Sequence, residues 1–251
     1  MAVYCVKGED IKLEMKDGFG QAEMLAGTYS GGVRAFRCHL NAGCCTSPEI
    51  FPNTLQIFCL TEGKGAIITP ERAYSVNEVS FYVADPYSTF TFHAATDMVY
   101  TMFVVEQKQG DLERFRAFHM KLPFFKGLSE CVEYCQDCKS ASSRSYSVIP
   151  TKRLCRVLMG VGEASAEHST VPEGCFEKGH PAVAQWNVPF GNTDMLLTVD
   201  GESVDHKTGD FSYVPAGLDH SLQCKPGKQI HYIWFEHYVQ EKDYLVSYPR
   251  A

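Results

Sequence analysis

"TGDFSYVPAGLDHSL", residues Thr208 to Leu222, is the stretch that decides the fold. A glycine and an acidic residue open it. A short aromatic and β-branched run follows, Phe211 to Val214, and then a turn at Pro215 and Gly217. The next apolar run begins at His220. This is strand, Pro-bearing turn, strand. A similar stretch, "SFYVADPYSTF", occupies Ser80 to Phe90.

Outward from these two stretches the chain reads as dense β-structure in two segments. The first spans about Leu25 to Glu106, with "VRAFRCHL", "TLQIFCLTEGKGAII", "EVSFYVAD", "STFTFHA" and "MVYTMFVVE". The second spans about Arg153 to Val239, with "RVLMGV", "DMLLTVDGE", "HSLQC" and "IHYIWFEHYV". The segments repeat each other. "FPNTLQIFCLTEG" (Phe51 to Gly63) parallels "FGNTDMLLTVDG" (Phe190 to Gly201), and "NAGCCTSPE" parallels "PEGCFEKGH". Short strands with acid-Gly and Pro turns close into small barrels or jelly rolls, which hide their strand edges. Between them, Asp111 caps a helical run with Leu112, Phe115 and Phe118 on one face. The expected fold is all-β: two tandem β-barrels, over 1–110 and 148–251, joined by a short helical linker over 111–147.

The bulk numbers agree. The chain has 251 residues, 45% hydrophobic and 21% charged, with formal net charge −7. This is an ordinary globular balance. No Lys/Arg cluster marks a nucleic-acid face. The charged N-terminus lacks a signal-peptide core, and no apolar run is long enough to cross a bilayer. The expectation is a cytoplasmic protein with neither nucleic-acid nor membrane partner, whose eleven cysteines are reduced thiols. No P-loop, dinucleotide fingerprint or nucleophile elbow is present.

Gly209, Pro215, Gly217 and His220 stand at the spacing of the second conserved motif of the cupin superfamily, which the chain resembles. Gly174, His180, Asp194 and Gly201 can be placed on that superfamily's first motif. Ala182 replaces its second His, eleven residues stand where three or four are usual, and Asp replaces Glu. The first copy fits the same frame with Glu49, Phe51, Gln56 and Thr89 at the ligand positions. The whole resembles a bicupin whose first barrel holds no metal.

The resemblance implies that His180, Asp194 and His220 point into the second barrel. Two His and a carboxylate suit Mn, Fe, Zn or Ni. His231, on the last strand with Ile233, Phe235 and His237, and Glu177 are then candidate proton carriers. Trp186 and Gln185, in the long inserted loop, are candidate substrate contacts. Glu49, Gln56 and His93 are the equivalents in the first barrel. A pocket lined by such groups also holds a sugar without metal, so both readings stand.

"CVEYCQDC" carries Cys131, Cys135 and Cys138 at a spacing used for iron–sulfur ligation. The flanking context does not fit such an enzyme, and half-buried thiols on one helical face are the simpler reading. Two functions follow. One is a metal-dependent isomerase, lyase or hydrolase of a small polar metabolite such as a sugar, sugar acid or ureide. The other is a metal-free small-molecule sensor similar to the barrels of AraC-type regulators. A homodimer is expected in either case.

Overall fold

The structure is a computed structural model. It describes residues 3–29, 32–51, 53–108, 110–111, 120–135, 139–140, 143–154, 156–166, 173–177 and 183–240, with backbone alone at 151–152 and 173–177. The described residues form twenty-one strands: β1 (Tyr4–Val6), β2 (Phe19–Glu23), β3 (Val33–Leu40), β4 (Cys45–Thr46), β5 (Thr54–Glu62), β6 (Gly65–Ile68), β7 (Ala73–Val76), β8 (Ser80–Val83), β9 (Thr91–Ala94), β10 (Met98–Glu106), β11 (Phe124–Gly127), β12 (Val132–Tyr134), β13 (Arg144–Leu154), β14 (Val157–Ser165), β15 (Glu173–Glu177), β16 (Val183–Pro189), β17 (Asp194–Val199), β18 (Glu202–Lys207), β19 (Phe211–Val214), β20 (His220–Cys224) and β21 (Gln229–Tyr238).

The strands form two compact units. The first barrel is built from Ile11–Gly27 and Gly32–Cys131. Its six-stranded sheet runs β11-β8-β5-β10-β3-β2 and its four-stranded sheet runs β4-β9-β6-β7. The second barrel is built from Met1–Asp10, Thr28–Gly31 and Val132–Ala251. Its sheets run β1-β19-β16-β21-β14-β13-β12 and β15-β20-β17-β18. Strand for strand the orders repeat, with β8, β5, β10 and β3 answering β19, β16, β21 and β14. Even the edges match. β11 closes on β8 and β1 closes on β19, and each is followed by a single 3₁₀ turn, Leu128–Glu130 and Gly8–Asp10.

The sequence expectations meet this architecture unevenly. The all-β tandem layout stands. The segment read as a helical linker contributes strands β11 and β12, since Phe124 and Phe125 pair along β8 and Val132–Tyr134 pairs along β13; residues 112–119 lie outside the described residues. The N-terminal residues, placed by the sequence with the first barrel, pair with the second: Tyr4, Cys5 and Val6 lie opposite Tyr213, Ser212 and Phe211. The Val183–Pro189 part of the expected inserted loop is a strand, β16, buried at every position.

The motif's glycines have a backbone reason. Gly209 and Gly217 have φ of +91° and +90°, a region that side chains with a Cβ avoid. They turn the chain into β19 and out towards β20. Inside the barrel, Gly160 and Gly162 on β14 make room for rings. A Cβ at Gly160 would stand 2.3 Å from the Trp234 ring, and one at Gly162 would stand 2.4 Å from the Tyr232 ring. Tyr232 and Trp234 pack on the inner core with Met195, Leu197, Val199 and Leu222.

The ladders align the barrels residue by residue. Ala84 N–H donates to the Gln56 carbonyl, and Val214 pairs with Gln185. On the other side, Gln56 faces Val104 and Gln185 faces Glu236. Setting Gln56 over Gln185 puts Phe58 over Asn187 and Tyr82 over Ser212. Continuing along the chain, it puts Phe90 over His220 and Val76 over His206. The sequence repeat aligns β5 with β17 and Thr89 with His220; the ladders instead align β5 with β16 and Phe90 with His220.

Candidate functional site

Inside the second barrel, β16 turns Gln185 and Asn187 inward. They begin a string of buried polar side chains that crosses to the facing sheet. His220 Nε2 is 3.1 Å from Gln185 Oε1, and Gln185 Nε2 donates to Asn187 Oδ1 at 2.8 Å. Asn187 Nδ2 donates to Ser212 Oγ at 3.2 Å, and Ser212 Oγ is 3.1 Å from His206 Nε2. All five side chains are at most 5% exposed. Burying polar groups is tolerable when each finds a partner, and this string supplies partners in sequence. Glu236, opposite Gln185 on β21, lies on the same inner face; the sequence reading passed over it.

The sequence-predicted site residues fall in several places. His220 and Gln185 are together, in direct contact. His180 lies outside the described residues; Glu177 is described in backbone only, in register with His220. Asp194 does not join them. On β17 it is Met195, Leu197 and Val199 that face inward, fully buried. Asp194 faces the other way and pairs with Lys225 Nζ at 2.6 Å. His231 is also outside the barrel interior. It pairs with Glu163, Nδ1 to Oε1 3.2 Å, beside the Phe190 ring. Tyr232 and Trp234 are the inward neighbours. The strand "IHYIWFEHY" is apolar in both parities, so alternation did not reveal its inner face. Trp186 is fully buried on the outer side of β16, against Tyr29, Tyr213 and Phe235, and meets no open pocket. It packs as core, not as a stacking platform.

The metal expected in this barrel can be tested on these donors. Both ring nitrogens of His220 are turned to protein oxygens, Nε2 to Gln185 and Nδ1 to the Leu218 carbonyl at 3.2 Å. Asp194 is committed outside. Among the described residues, His220 and Asp194 are therefore not brought together; His180, the third expected ligand, lies outside the described residues.

The first barrel offers a cavity instead. About 280 Å³ opens among Phe19, Phe51, Phe58, Tyr100, Met102 and Gln56, with Glu49 at its lip. Gln56 is 4% exposed, and its Nε2 donates to the Glu49 carbonyl at 2.7 Å. Cys38 and Tyr100 stand opposite one another in the wall; burial pushes both the thiol and the hydroxyl well above their ordinary ranges, so both are neutral. His93 is absent from this cavity. It lies exposed on the outer face of β9, while Phe92 and Ala94 face inward.

The "CVEYC" cysteines do not share a helical face, because Val132–Tyr134 between them is a strand. Cys131 is half-buried, its thiol pushed up to about 11 by burial, and Cys135 is exposed. Cys138 and Cys155 lie outside the described residues. The described cysteines are all free thiols.

No protein-family model matches the chain, and no curated protein matches it. Solved structures do. The putative glyoxylate induced protein of Pseudomonas aeruginosa matches with a TM-score of 0.76 at 9% identity, over 95% of this chain and 90% of that one. Oxalate decarboxylase of Lactobacillus farciminis, as a formate complex, matches at 0.68 and 9% identity, over 98% and 90%. A cupin 2 conserved barrel domain protein of Leptotrichia buccalis matches at 0.60 and 12%, over 94% and 96%. At these identities the likeness speaks for the fold. With its paired jelly rolls and repeated strand order, this chain is a protein of the cupin fold, in bicupin form.

Proposed function

We propose that this protein binds a small organic molecule, without metal, in the first barrel. The observation that carries this reading is the cavity bounded by Phe51, Phe58, Met102 and Gln56. At 280 Å³ it lies near the lower end of the range of about 300–1,000 Å³ in which small-molecule sites fall. Its lining sets rings and a thioether beside the buried Gln56 amide, the Gln21 amide, the Thr46 and Ser47 side chains and Glu49 at the lip. Such a lining suits a compact ligand with an apolar body and a few polar groups, received by Gln56 Oε1, the Glu49 carboxylate and the Thr46 and Ser47 hydroxyls.

The test is a panel of small aromatic and aliphatic amines, alcohols and acids read by thermal shift, because a ligand of the native state raises the apparent Tm. At a concentration of about 100 Kd the stabilisation is about 2.7 kcal/mol. Phe51→Trp, which enlarges a half-buried ring at the cavity wall, is expected to abolish the shift while the protein stays folded. A ligand that shifts Phe51→Trp as much as wild type, or a panel of the stated chemistry with no response, overturns the proposal.

A further inference from the structure

A second constellation lies at the His206 end of the buried polar string, the end opposite His220. Cys5 on β1, His206 on β18 and Asp210 before β19 converge on one point of the second barrel. Cys5 Sγ is 3.7 Å from His206 Nδ1, and His206 Nδ1 is 3.7 Å from Asp210 Oδ2. One donor atom from each residue lies within 4.8 Å of the other two. The side chains of His206 and Asp210 are fully buried, and Cys5 is half-buried.

These separations carry the argument. At 3.7 Å a nitrogen and an oxygen are too far apart for a hydrogen bond, whose N···O length is about 2.7–3.2 Å. Yet the groups point at one another within a closed interior. Three donors tetrahedrally placed about an ion, at bond lengths of about 2.0–2.3 Å, stand about 3.4–3.6 Å from each other. The His206–Asp210 separation is wider than a hydrogen bond, the Cys5–His206 separation is within the reach of a thiol hydrogen bond, and both are close to the edge of a coordination tetrahedron. His206 is also held as ligating imidazoles are held: its far nitrogen, Nε2, is 3.1 Å from Ser212 Oγ. Burial lowers the His206 pKa, which keeps the ring in the neutral form a metal needs.

We propose that Cys5 Sγ, His206 Nδ1 and Asp210 Oδ2 bind a Zn(II)-class ion, which clasps the N-terminal strand to the second barrel. The fourth position belongs to water. On binding, the Cys5 S–H gives its proton to solvent and the thiolate takes the metal. Lys7 is the competing cation. Its Nζ lies 3.1 Å from Asp210 Oδ2 and also donates to the Asp205 carbonyl, where it remains when the ion enters. In the first barrel the equivalent positions are Phe125, Val76 and Ser80, so the site belongs to the second barrel alone.

The experiment is a titration of chelator-treated, full-length protein with Co(II), followed by displacement with Zn(II). One Co(II) per chain is expected, with a sulfur-to-cobalt charge-transfer band that Zn(II) removes. Cys5→Ala should lose the band and weaken binding by more than the factor of about 10–100 that an outer partner is worth. Cys135→Ala, which changes an exposed thiol elsewhere, should keep both. Lys7→Met leaves the three donors and removes the competing ammonium, so it should bind several-fold tighter. Less than stoichiometric Co(II) in wild type, a band surviving in Cys5→Ala, or weaker binding by Lys7→Met overturns the proposal. Loss of this site leaves the ligand cavity of the first barrel intact, so the two proposals fail separately.

Discussion

The two barrels share a strand order and differ in what fills it. In the second, the inner positions hold His220, Gln185, Asn187, Ser212 and His206, joined by hydrogen bonds. In the first, the same positions hold Phe90, Gln56, Phe58, Tyr82 and Val76, joined by ring contacts. Phe58 is fully buried, with ring centroids 5.4 Å from Phe90 and 6.0 Å from Tyr82. Gln56 and Gln185 alone are common to both strings. One backbone thus accepts either a polar relay or an aromatic stack, provided each is internally consistent. The polar form holds together through direction, because each partner must donate or accept in turn. The aromatic form holds through area and shape, and it leaves space unfilled at the Gln56 end. That space is the cavity proposed as the ligand site.

The comparison breaks most visibly at Phe58. Its ring meets Tyr82, Phe90, Phe92 and Tyr100, all of them buried. Phe58→Ala removes the centre of the stack and is expected to cost about 3–5 kcal/mol. Urea unfolding followed by circular dichroism measures this. A loss under about 1 kcal/mol would mean that the stack collapses around the gap.

At the matching position of the second barrel, Asn187→Leu keeps the volume roughly constant and removes a link. Gln185 Nε2 loses its acceptor and Ser212 Oγ loses a donor, both in buried positions. A loss of about 1–3 kcal/mol is expected. The contrast is sharpened by the double change Gln185→Leu with Asn187→Leu. It should cost less than the sum of the single changes, because partners lost together leave fewer orphans.

Much of this contrast was hidden in the sequence for identifiable reasons. The long strands β3, β5, β10 and β21 announce themselves by aromatic and β-branched runs, and the motif from Gly209 to His220 announces the turn that precedes β20. By contrast β16, "VAQWNVP", carries Gln, Asn and Pro and reads as a loop. Its polar residues are buried in the string, a fact of tertiary pairing. The repeat was visible but out of register, because "PNT" and "GNT" occur before β5 and before β17, which are not equivalent strands. Turn chemistry had recurred where strand position had not. Cys5, a lone thiol near the N-terminus, gives no local sign of its pairing with Ser212. His220 was found from its spacing to Pro215 and Gly217, since that spacing follows from the backbone turn itself.

Gly162 probes how tightly the second barrel's interior is filled. Its counterpart in the first barrel is Cys38, opposite Tyr100, as Gly162 is opposite Tyr232. A thiol is thus accommodated in one barrel at a place where the other admits no side chain. Gly162→Ala would put a methyl 2.4 Å from the Tyr232 ring. Overpacking of this kind is expected to cost about 1–3 kcal/mol. The reverse change, Cys38→Gly, should enlarge the cavity of the first barrel and weaken ligand binding there. A neutral Gly162→Ala in thermal unfolding would show that the Tyr232 ring swings aside.

The smallest expected difference lies on the outer faces of the same strands. Glu163 and His231 face one another across β14 and β21; the corresponding pair in the first barrel is His39 and Val99, which has no carboxylate. The hydrogen bond with His231 lowers the Glu163 pKa and outweighs the opposing effect of burial, with Tyr146 and Arg144 adding to the lowering. The sign follows from linkage. A carboxyl whose folded pKa lies below its unfolded value of about 4.3 contributes stability that is complete above that value. The contribution is lost as pH falls through the folded pKa. Glu163→Gln should therefore cost up to about 1 kcal/mol at pH 6, since the pair is partly exposed and screened. The gap between variant and wild type should close as pH falls below the unfolded value of about 4.3 and through the lowered folded pKa. His39→Gln, its counterpart, should show no such closing gap in this range, because it removes no carboxylate. Urea midpoints of the three proteins across pH 3–6 measure the effect. A gap that widens on acidification would mean that Glu163 is held protonated in the fold, contrary to the His231 contact.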